Sequence, residues 1–449
     1  MERKMLNREF WKYVLPSMFA MLLSGFYSIV DGLFVGNSVG DTALAAINLA
    51  YPIQVILNAT AIGIGIGGAV AMTYFKGQEK EEQADHAIGS TFLLLLILGI
   101  VLSIVLFFMA PNLLTMLGAQ GAVYKDAYDY IFVILLGGLL PVLGNGLNPL
   151  IRNCGKTLTA TLCMSSGLIT NIVLDYVLVF RWNMGLTGAA LATIIAQGVV
   201  ALSGLVFLWY STMRFLSWKH FLPTKDLIRR IIRVGVSPFG QTLVPCIITI
   251  LTNWMCIKYG GDPALTIFSV VCYVLASAQL LLQGIGDGIQ PLLSYNHGKN
   301  RQDNIHYLHR KAMIMSLVVS FVLSGLAIYF ANDLTALFGL SSSLFAPARL
   351  ALIITAISFP FIGIVRLTSA VFYATGKTKN STFLIYLEPC VLVPLCLLVC
   401  SHLFGLIGVW FAYPAAQMIL CGLALLFQGS SVIFSERSLM YNPSSEAIL

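Results

Sequence analysis

The stretch Gly63-Ile64-Gly65-Ile66-Gly67 returns 221 residues later as Gly284-Ile285-Gly286-Asp287-Gly288. Further matches keep almost the same offset: Pro16 with Pro238, Gly40-Asp41 with Gly261-Asp262, Gly155-Lys156-Thr157 with Gly376-Lys377-Thr378, and Gly185-Leu186 with Gly405-Leu406. A single glycine match is weak, whereas a near-constant offset along the whole chain indicates an internal duplication. The glycine runs lie in apolar segments without the strand–turn–helix context of a nucleotide-binding loop, so they predict closely packed helices.

The composition places both halves in a membrane. The chain has 449 residues, of which 58% are hydrophobic and only 10% charged, and its mean hydropathy is +0.86. Soluble domains carry about 25% charged residues, so a soluble fold is excluded. The apolar runs approach the roughly 20 residues of a spanning helix and lack the alternation of barrel strands. We predict an all-α polytopic membrane protein with twelve transmembrane helices, near 12–36, 44–74, 88–110, 124–151, 158–180, 187–210, 231–257, 264–295, 311–331, 345–373, 381–402 and 406–433.

The basic residues predict the orientation. Most of the 26 Lys and Arg residues fall in loops on one side, among them Lys76, Arg152, Lys299 and Lys377. This side is cytoplasmic under the positive-inside rule, so we predict a multi-pass plasma-membrane protein with both termini in the cytoplasm. The net charge of +7 is then a topology signal, and we expect no nucleic-acid partner.

The duplication predicts two lobes. Each half carries six spans, an even number, so the halves are parallel repeats about an axis along the membrane normal. We predict an N-lobe at 1–210, a cytoplasmic linker at 211–230, a C-lobe at 231–433 and a cytoplasmic tail at 434–449. Two similar lobes around a central cavity are typical of transporters that alternate access around a midplane site.

Acidic residues inside the first half point to a cation site. Asp31 lies in the apolar stretch 24–36, where an ionised carboxylate costs about 2.5–3.5 kcal/mol. Asn171 and Asp175 are four residues apart and share one helix face. The same half places further polar side chains inside spans: Tyr27, Asn145, Asn148, Thr193 and Gln197. Carboxylate, amide and hydroxyl oxygens suit a hard cation, so the cluster predicts a proton or Na⁺ site.

The second half keeps the architecture without these acids. Asn253 stands in the place of Asp31, and the position of Asp175 is taken by Pro394 or Leu395. Its own polar stripe follows one helix face: Gln279, Gln283, Asp287 and Gln290. The stripe is either hydrogen-bonding between helices or the wall of a substrate cavity. We also expect Glu388 and Arg366 to form a structural ion pair.

Other chemistry lacks its sequence signals. The nine cysteines contain no Cys-x-x-Cys pair and are expected to be free thiols that pack as small hydrophobes. A Walker lysine, His-Glu-x-x-His and Gly-x-Ser-x-Gly are absent from the sequence. We expect no enzymatic activity, no cofactor and no metal beyond Na⁺ at the coupling site.

Several motifs resemble those of one transporter family. They are Tyr27 with Val30-Asp31-Gly32-Leu33-Phe34-Val35-Gly36, Asn145-Gly146-Leu147-Asn148-Pro149-Leu150-Ile151-Arg152, Asn171-x-x-x-Asp175, Gly185-x-x-Gly188-Ala189-Ala190, and Gln290-Pro291 with Tyr295-Asn296-x-Gly298. In this order they resemble the multidrug and toxic compound extrusion (MATE) transporters, closer to the branch of DNA-damage-inducible exporters. The other major branch uses carboxylates on the seventh and tenth helices, which this sequence lacks.

The resemblance implies a V of two six-helix lobes that exports small-molecule drugs or toxic metabolites in exchange for inward-moving H⁺ or Na⁺. It also implies a monomer in the bilayer. The implied coupling site is Asp31, Asn148, Asn171, Asp175 and Thr193. Protonation of this site would bend the first helix near Pro16. The expected substrate cavity is lined by Tyr27, Asn145, Gln197, Asn253, Gln279, Gln283 and Asp287.

Three alternatives stay open at this point. A flippase for a lipid-linked saccharide belongs to the same superfamily, but such proteins typically have extra spans and cationic cavities. A passive channel would conduct without an imposed ion gradient. A membrane-embedded enzyme would need a paired nucleophile and base or a metal-ligand motif.

Overall fold

The computed structural model describes residues 2–39, 41–212, 216–337, 340 and 342–439, with side chains described for 3–25, 46–212, 216–337, 340 and 343–429. All regular secondary structure in these ranges is helical. The first half contains α1 (Glu2–Val39), α2 (Asp41–Gly77), α3 (Glu81–Met116), α4 (Gly121–Leu136), α5 (Leu139–Asn153), α6 (Thr157–Leu174), a π-helical segment (Asp175–Arg181), α7 (Gly185–Ser211) and the short α8 (Trp218–Phe221).

The second half repeats this order. It contains α9 (Lys225–Gly298), α10 (Gln302–Tyr329), α11 (Ala331–Leu337), a 3₁₀ turn (Ser342–Leu344), α12 (Phe345–Ala356), α13 (Phe359–Ala374), α14 (Thr378–Leu387), a second π-helical segment (Glu388–Leu392) and α15 (Val393–Leu439).

The helices divide into twelve crossings, as predicted. Eight stretches of the described chain are long and apolar enough to span a membrane, or nine when the bent pair α4 and α5 counts as one span. Two of these stretches turn at a glycine: Gly261 in α9 has φ 63° and Gly405 in α15 has φ 58°. Glycine adopts this left-handed conformation without a Cβ clash. Division at these glycines gives eleven crossings, and α1 provides the twelfth.

The hydrophobic core has two parts. One cluster of buried side chains lies within residues 46–231 of the first half. The other covers residues 234–424 and also takes in Leu6, Phe10 and Val14 of α1 and Ile66 and Val70 of α2. The basic ends of α1 and α2 therefore pack against the second half. The boundaries of the two lobes stay a prediction.

The duplicated glycines make the contact between the halves. A Cβ on Gly67 of α2 would lie 2.2 Å from the carbonyl oxygen of Ile231 in α9. In the equivalent contact, a Cβ on Gly288 of α9 would lie 2.6 Å from Cα of Val14 in α1. Backbones approach this closely only where side chains are absent. The predicted close packing is confirmed, and it joins the lobes at their basic ends.

Gly77 and Gly298, equivalent residues of the two repeats, meet at the centre of this contact. We expect Gly298→Ala to lower the free energy of unfolding by about 1–3 kcal/mol through overpacking, because the new Cβ would lie 2.2 Å from the Tyr74 carbonyl oxygen. Thermal unfolding in detergent measures the change. Gly325→Ala in α10, where the Cβ meets nothing within 4 Å, is the control and should not destabilise, since alanine favours helix over glycine. Equal melting of Gly298→Ala and wild-type protein would refute a tight contact.

Candidate cation site and the contact between the lobes

Asp175 lies where α6 becomes π-helical, at the first residue of the segment Asp175–Arg181. Its side chain is buried, with 1% of the residue exposed. With its amide oriented to satisfy both neighbours, Asn171 donates to Asp175 Oδ2 at 2.8 Å and accepts from the main-chain N–H of Thr193 at 3.3 Å. Single π turns inside α-helices occur frequently at functional sites. The structure thus brings three of the predicted coupling residues together, from α6, the π-helical segment and α7.

Asn148 lies elsewhere. Its amide donates to the carbonyl oxygen of Ala160 at 2.9 Å. Ala160 precedes Asp175 by fifteen residues, which is about 22 Å along a helix. The structure therefore does not place Asn148 in the predicted cluster. Its amide is hydrogen-bonded near the start of α6, at the end of the helix far from Asp175.

Asp31 and Tyr27 lie on α1, whose backbone is helical at both positions. The structure does not describe the side chains of these two residues. The predicted roles of Asp31 at the coupling site and of Tyr27 in the cavity therefore stay predictions.

Asn145 and Gln197 are the other N-lobe residues predicted to line the cavity. Asn145 donates to Asn58 Oδ1 at 3.2 Å and to the Pro141 carbonyl oxygen at 3.1 Å. Gln197, one turn along α7 from Thr193, has a buried Oε1 without a hydrogen-bond partner among the described groups, and this atom faces Gly144. Asn58 was not predicted as a residue of the site. Its amide lies in the apolar run 44–74, and a polar side chain in such a run is the sequence signal that could have identified it.

Pro16 does not interrupt α1, which runs continuously from Glu2 to Val39. A proline lacks the N–H that would bond the carbonyl four residues earlier, which here belongs to Lys12. The hydroxyl of Thr157 donates to that Lys12 oxygen at 2.8 Å, and Thr161 donates to the Pro16 carbonyl oxygen at 3.0 Å. The predicted hinge is therefore hydrogen-bonded to the first turns of α6, the helix whose other end leads into the π-helical segment with Asp175.

We expect Thr157→Val to lower the free energy of unfolding by about 1–3 kcal/mol, the cost of a buried acceptor without a donor. Hydrogen exchange of α1 on both sides of Pro16 should rise in the same variant. Thr115→Val is the matched control, because the exposed Thr115 hydroxyl bonds only to its own helix at Pro111. Unchanged stability and exchange in Thr157→Val would show that α6 does not hold the proline site.

The C-lobe contains a separate buried network. Gln279 donates to the Tyr413 hydroxyl at 2.8 Å, and Gln417 donates to Glu388 Oε1 at 2.7 Å. Tyr413 lies beside Glu388, the first residue of the second π-helical segment. Gln279 is therefore hydrogen-bonded within the C-lobe. Two further residues predicted to line the cavity, Gln283 and Asn253, are half-buried.

Arg366 and Glu388 do not form the expected direct pair. The Arg366 guanidinium instead donates to the main-chain carbonyl oxygen of Gln241 at 3.2 Å. Both side chains are buried, at 6% and 3% exposure. Glu388 accepts a hydrogen bond from the neutral Gln417 amide, so each of the two charged groups has its own polar partner.

An ion pair joins the lobes. Arg152 at the end of α5 lies 3.4 Å from Asp287 Oδ2 in α9, and both side chains are about 95% buried. Asp287 was predicted to line the substrate cavity, but its carboxylate faces the N-lobe within the repeated glycine motif. A buried charge whose partner is removed costs about 3–5 kcal/mol. The pair therefore favours the lobe arrangement in which the two side chains meet.

A chain of amides and hydroxyls lies beside this pair. Asn153 donates to Gln290 Oε1 at 2.9 Å and accepts from Thr73 at 2.8 Å. Gln290 in turn donates to Asn153 Oδ1 and to Ser294, each at 3.1 Å. The sequence places Gln290 on the polar stripe of the C-lobe. It does not indicate the partner of Gln290, which is Asn153 of the other lobe.

A further cluster between α3 and α8 has metal-ligand geometry and consists of Glu82, His86 and His220. It lies at the basic face, the side of the protein that carries most of the Lys and Arg residues. Nδ1 of His220 accepts a hydrogen bond from the main-chain N–H of Ser217 at 2.9 Å. This bond places the proton of the neutral ring on Nε2, which opposes coordination of a cation there. The cluster is a contact of the linker with α3.

Comparisons with known proteins agree on one family. The sequence model of the MatE family matches residues 16–177 and 239–398. Multidrug export protein MepA of Staphylococcus saprophyticus is 26% identical over 437 residues, which cover 95% of this chain and 94% of that protein. MepA of Staphylococcus aureus strain MRSA252 is 25% identical over 427 residues, covering 95% and 94%.

Solved structures share the fold. A crystal structure of MATE in complex with MaL6 superposes with a TM-score of 0.90 at 23% identity, covering 96% of this chain and 97% of that one. A MOP superfamily transporter from Pyrococcus furiosus gives a TM-score of 0.89 at 23% identity, covering 95% and 96%. The family match extends over both repeats and most of the chain, and the two-lobed helical fold agrees with it. The chain is a multi-pass membrane protein that belongs to the MatE family.

Proposed function

We propose that this protein is a secondary active exporter of amphipathic, often cationic small molecules, driven by inward movement of H⁺ or Na⁺. The observation that carries the proposal is the buried carboxylate of Asp175, held by Asn171 next to Thr193. An acid within an apolar span is costly and is typically kept for ion or proton transfer. Family membership and the multidrug export relatives support the substrate class.

The proposed cycle alternates between two lobe arrangements. In the arrangement with Arg152 bound to Asp287, the lobes are closed at the basic face, which we assign to the cytoplasm together with both termini. A cation entering from the opposite side neutralises Asp175 and its proposed partner Asp31. The change is passed to α1, which α6 contacts at Lys12 and Pro16. Substrate is then released outward, and the lobes reopen toward the cytoplasm when the cation leaves.

The proposal includes further assignments. The protein works in the plasma membrane, without enzymatic activity or a cofactor, and as a monomer. The cavity assignments of Asn145, Gln197, Asn253 and Gln283 are retained, since these residues are half-buried within the spans. The substrate is a small molecule taken from the cytoplasm, as the name of the MepA relatives indicates for those proteins.

The test is transport by the wild-type protein in liposomes with ethidium as substrate. A pH gradient and a Na⁺ gradient are imposed separately, and movement of ethidium against its own gradient is recorded. We expect one of the two gradients to drive uphill transport. Dissipation of the ethidium gradient without any ion gradient would indicate a channel and would overturn the proposal.

A further inference from the structure

A positively charged cavity of ≈ 330 Å³ lies at the basic face, on the seam between the lobes. It is formed by α2, by both parts of α9 and by the turn between α13 and α14. Its polar lining includes Tyr74, Arg229, Arg230, Arg233, His297 and Thr378. Neither the cation site nor the ion pair between the lobes includes these residues.

Three arginines of this cavity share a single carboxylate among the described lining residues. Asp226 is the one acidic residue of the described lining, and in the described part of the chain it makes no salt bridge with Arg229, Arg230 or Arg233. Arg230 is instead held by aromatic faces, 4.0 Å from the Tyr74 ring and 4.8 Å from the Phe75 ring. Cation–π contact positions a guanidinium without cancelling its charge.

The helix dipole adds to this field. The wall of the cavity includes Gly376 and Thr378. The helix α14, which is ten residues long, begins at Thr378. Its free N–H groups carry a partial positive charge. Three guanidinium groups, a histidine and this helix end surround one volume, which is the donor set that recognises phosphate.

A second cavity of ≈ 400 Å³ adjoins the first, since Arg233 and Thr378 line both. It adds Val236, Lys379, Thr382 and Phe383, of which Phe383 is 50% exposed. This apolar extension lies on the outside of the helix bundle. It fits the glycerol and acyl carbons that continue from a phosphate.

We propose that the arginine cavity binds a phosphate group, as carried by the headgroup of an anionic phospholipid. Basic cavities between membrane helices are suited to such headgroups. Tyr74 lies on α2 of the first half and the arginines lie on α9 of the second half, so the bound anion favours the arrangement in which the two halves are closed at the basic face.

The experiment compares Arg229→Gln/Arg233→Gln with a control of equal charge, Lys80→Gln/Lys219→Gln. All four side chains are exposed, and the control residues lie outside the cavity lining. Native mass spectrometry counts phosphatidylglycerol retained by the full-length protein from nanodiscs of phosphatidylcholine and phosphatidylglycerol. A parallel titration with inorganic phosphate, at constant ionic strength in chloride, follows the melting temperature. Arg229→Lys/Arg233→Lys should keep most of the binding.

We expect roughly tenfold weaker binding for each arginine removed, the equivalent of one charge-assisted hydrogen bond, and no loss in the lysine control. Loss of phosphatidylglycerol retention in the arginine variant supports a lipid headgroup. A phosphate-dependent rise in melting temperature without lipid preference supports the site and identifies a free anion as its ligand. Equal retention and equal melting in the arginine variant and the control would overturn the proposal.

Discussion

We expect Asp175→Asn protein to fold and reach the membrane but to lose ethidium export against a gradient. The change keeps the shape of the side chain and removes the group that binds and releases the cation. A charge-assisted ligand contributes about 1.5–3 kcal/mol, so cation affinity should fall roughly ten- to hundredfold. The measurement is the initial rate of uphill efflux from liposomes, normalised to the amount of reconstituted protein.

The matched control is Asp262→Asn, the same substitution at an exposed position beside the turn at Gly261. It should export at the wild-type rate. Full uphill efflux by the Asp175→Asn protein would show that the carboxylate between Asn171 and Thr193 does not couple transport to a cation.

The second large effect is expected at the contact between the lobes. In Asp287→Asn protein the buried Arg152 guanidinium loses its partner, which costs about 3–5 kcal/mol. Opening of the basic face hydrates the arginine, so the lobe equilibrium should shift more than a hundredfold toward separated lobes. Bioorthogonal spin labels at Lys80 and Gln302, which are exposed on opposite lobes at this face, report the distance between them.

The double variant Arg152→Gln/Asp287→Asn distinguishes a specific ion pair from general damage. It removes both charges and leaves neutral groups of similar size, so the short label distance should largely return. Glu388→Gln is the control, because Glu388 contacts Gln417 and lies beside Tyr413 within the C-lobe and should leave the distance unchanged. A distance distribution in Asp287→Asn that equals the wild-type distribution would mean that the pair does not hold the lobes.

The fold could be predicted from the sequence because its two signals are long and repeated. Apolar runs of about the length of a bilayer specify the spans, and the constant offset specifies two equivalent halves. Gly67 and Gly288 also indicated where helices pack closely, since repeated glycines in an apolar run are typical of close helix–helix contacts. The π-helical segments at Asp175 and Glu388 could not be predicted, because a run of apolar residues specifies a span but not the hydrogen-bond register of its turns.

The candidate cation site was predicted only in part, because residue spacing along one helix identifies a shared face but not contacts between different helices. Asn171 and Asp175 lie on one helix, where a spacing of four fixes a common face. The spacing of three between Asn145 and Asn148 also gives a common face, but it does not give depth, and depth separates Asn148 from the cluster. The pair Arg152 and Asp287 joins different lobes, so its formation depends on how the lobes meet. A signal was present, since Asp287 replaces Ile66 in a motif that otherwise consists of packing residues.

The measurement that tests the central claim most directly is cation release by the purified protein when ethidium binds. Exchange of substrate and cation requires that each lowers the affinity for the other, and this coupling is reciprocal. A pH indicator in weakly buffered solution records H⁺, and a Na⁺-selective electrode records Na⁺. We predict that wild-type protein releases one of these cations on addition of ethidium and that Asp175→Asn protein, which still binds ethidium, releases none. Equal release by the two proteins, or substrate binding without release by the wild type, would contradict the account.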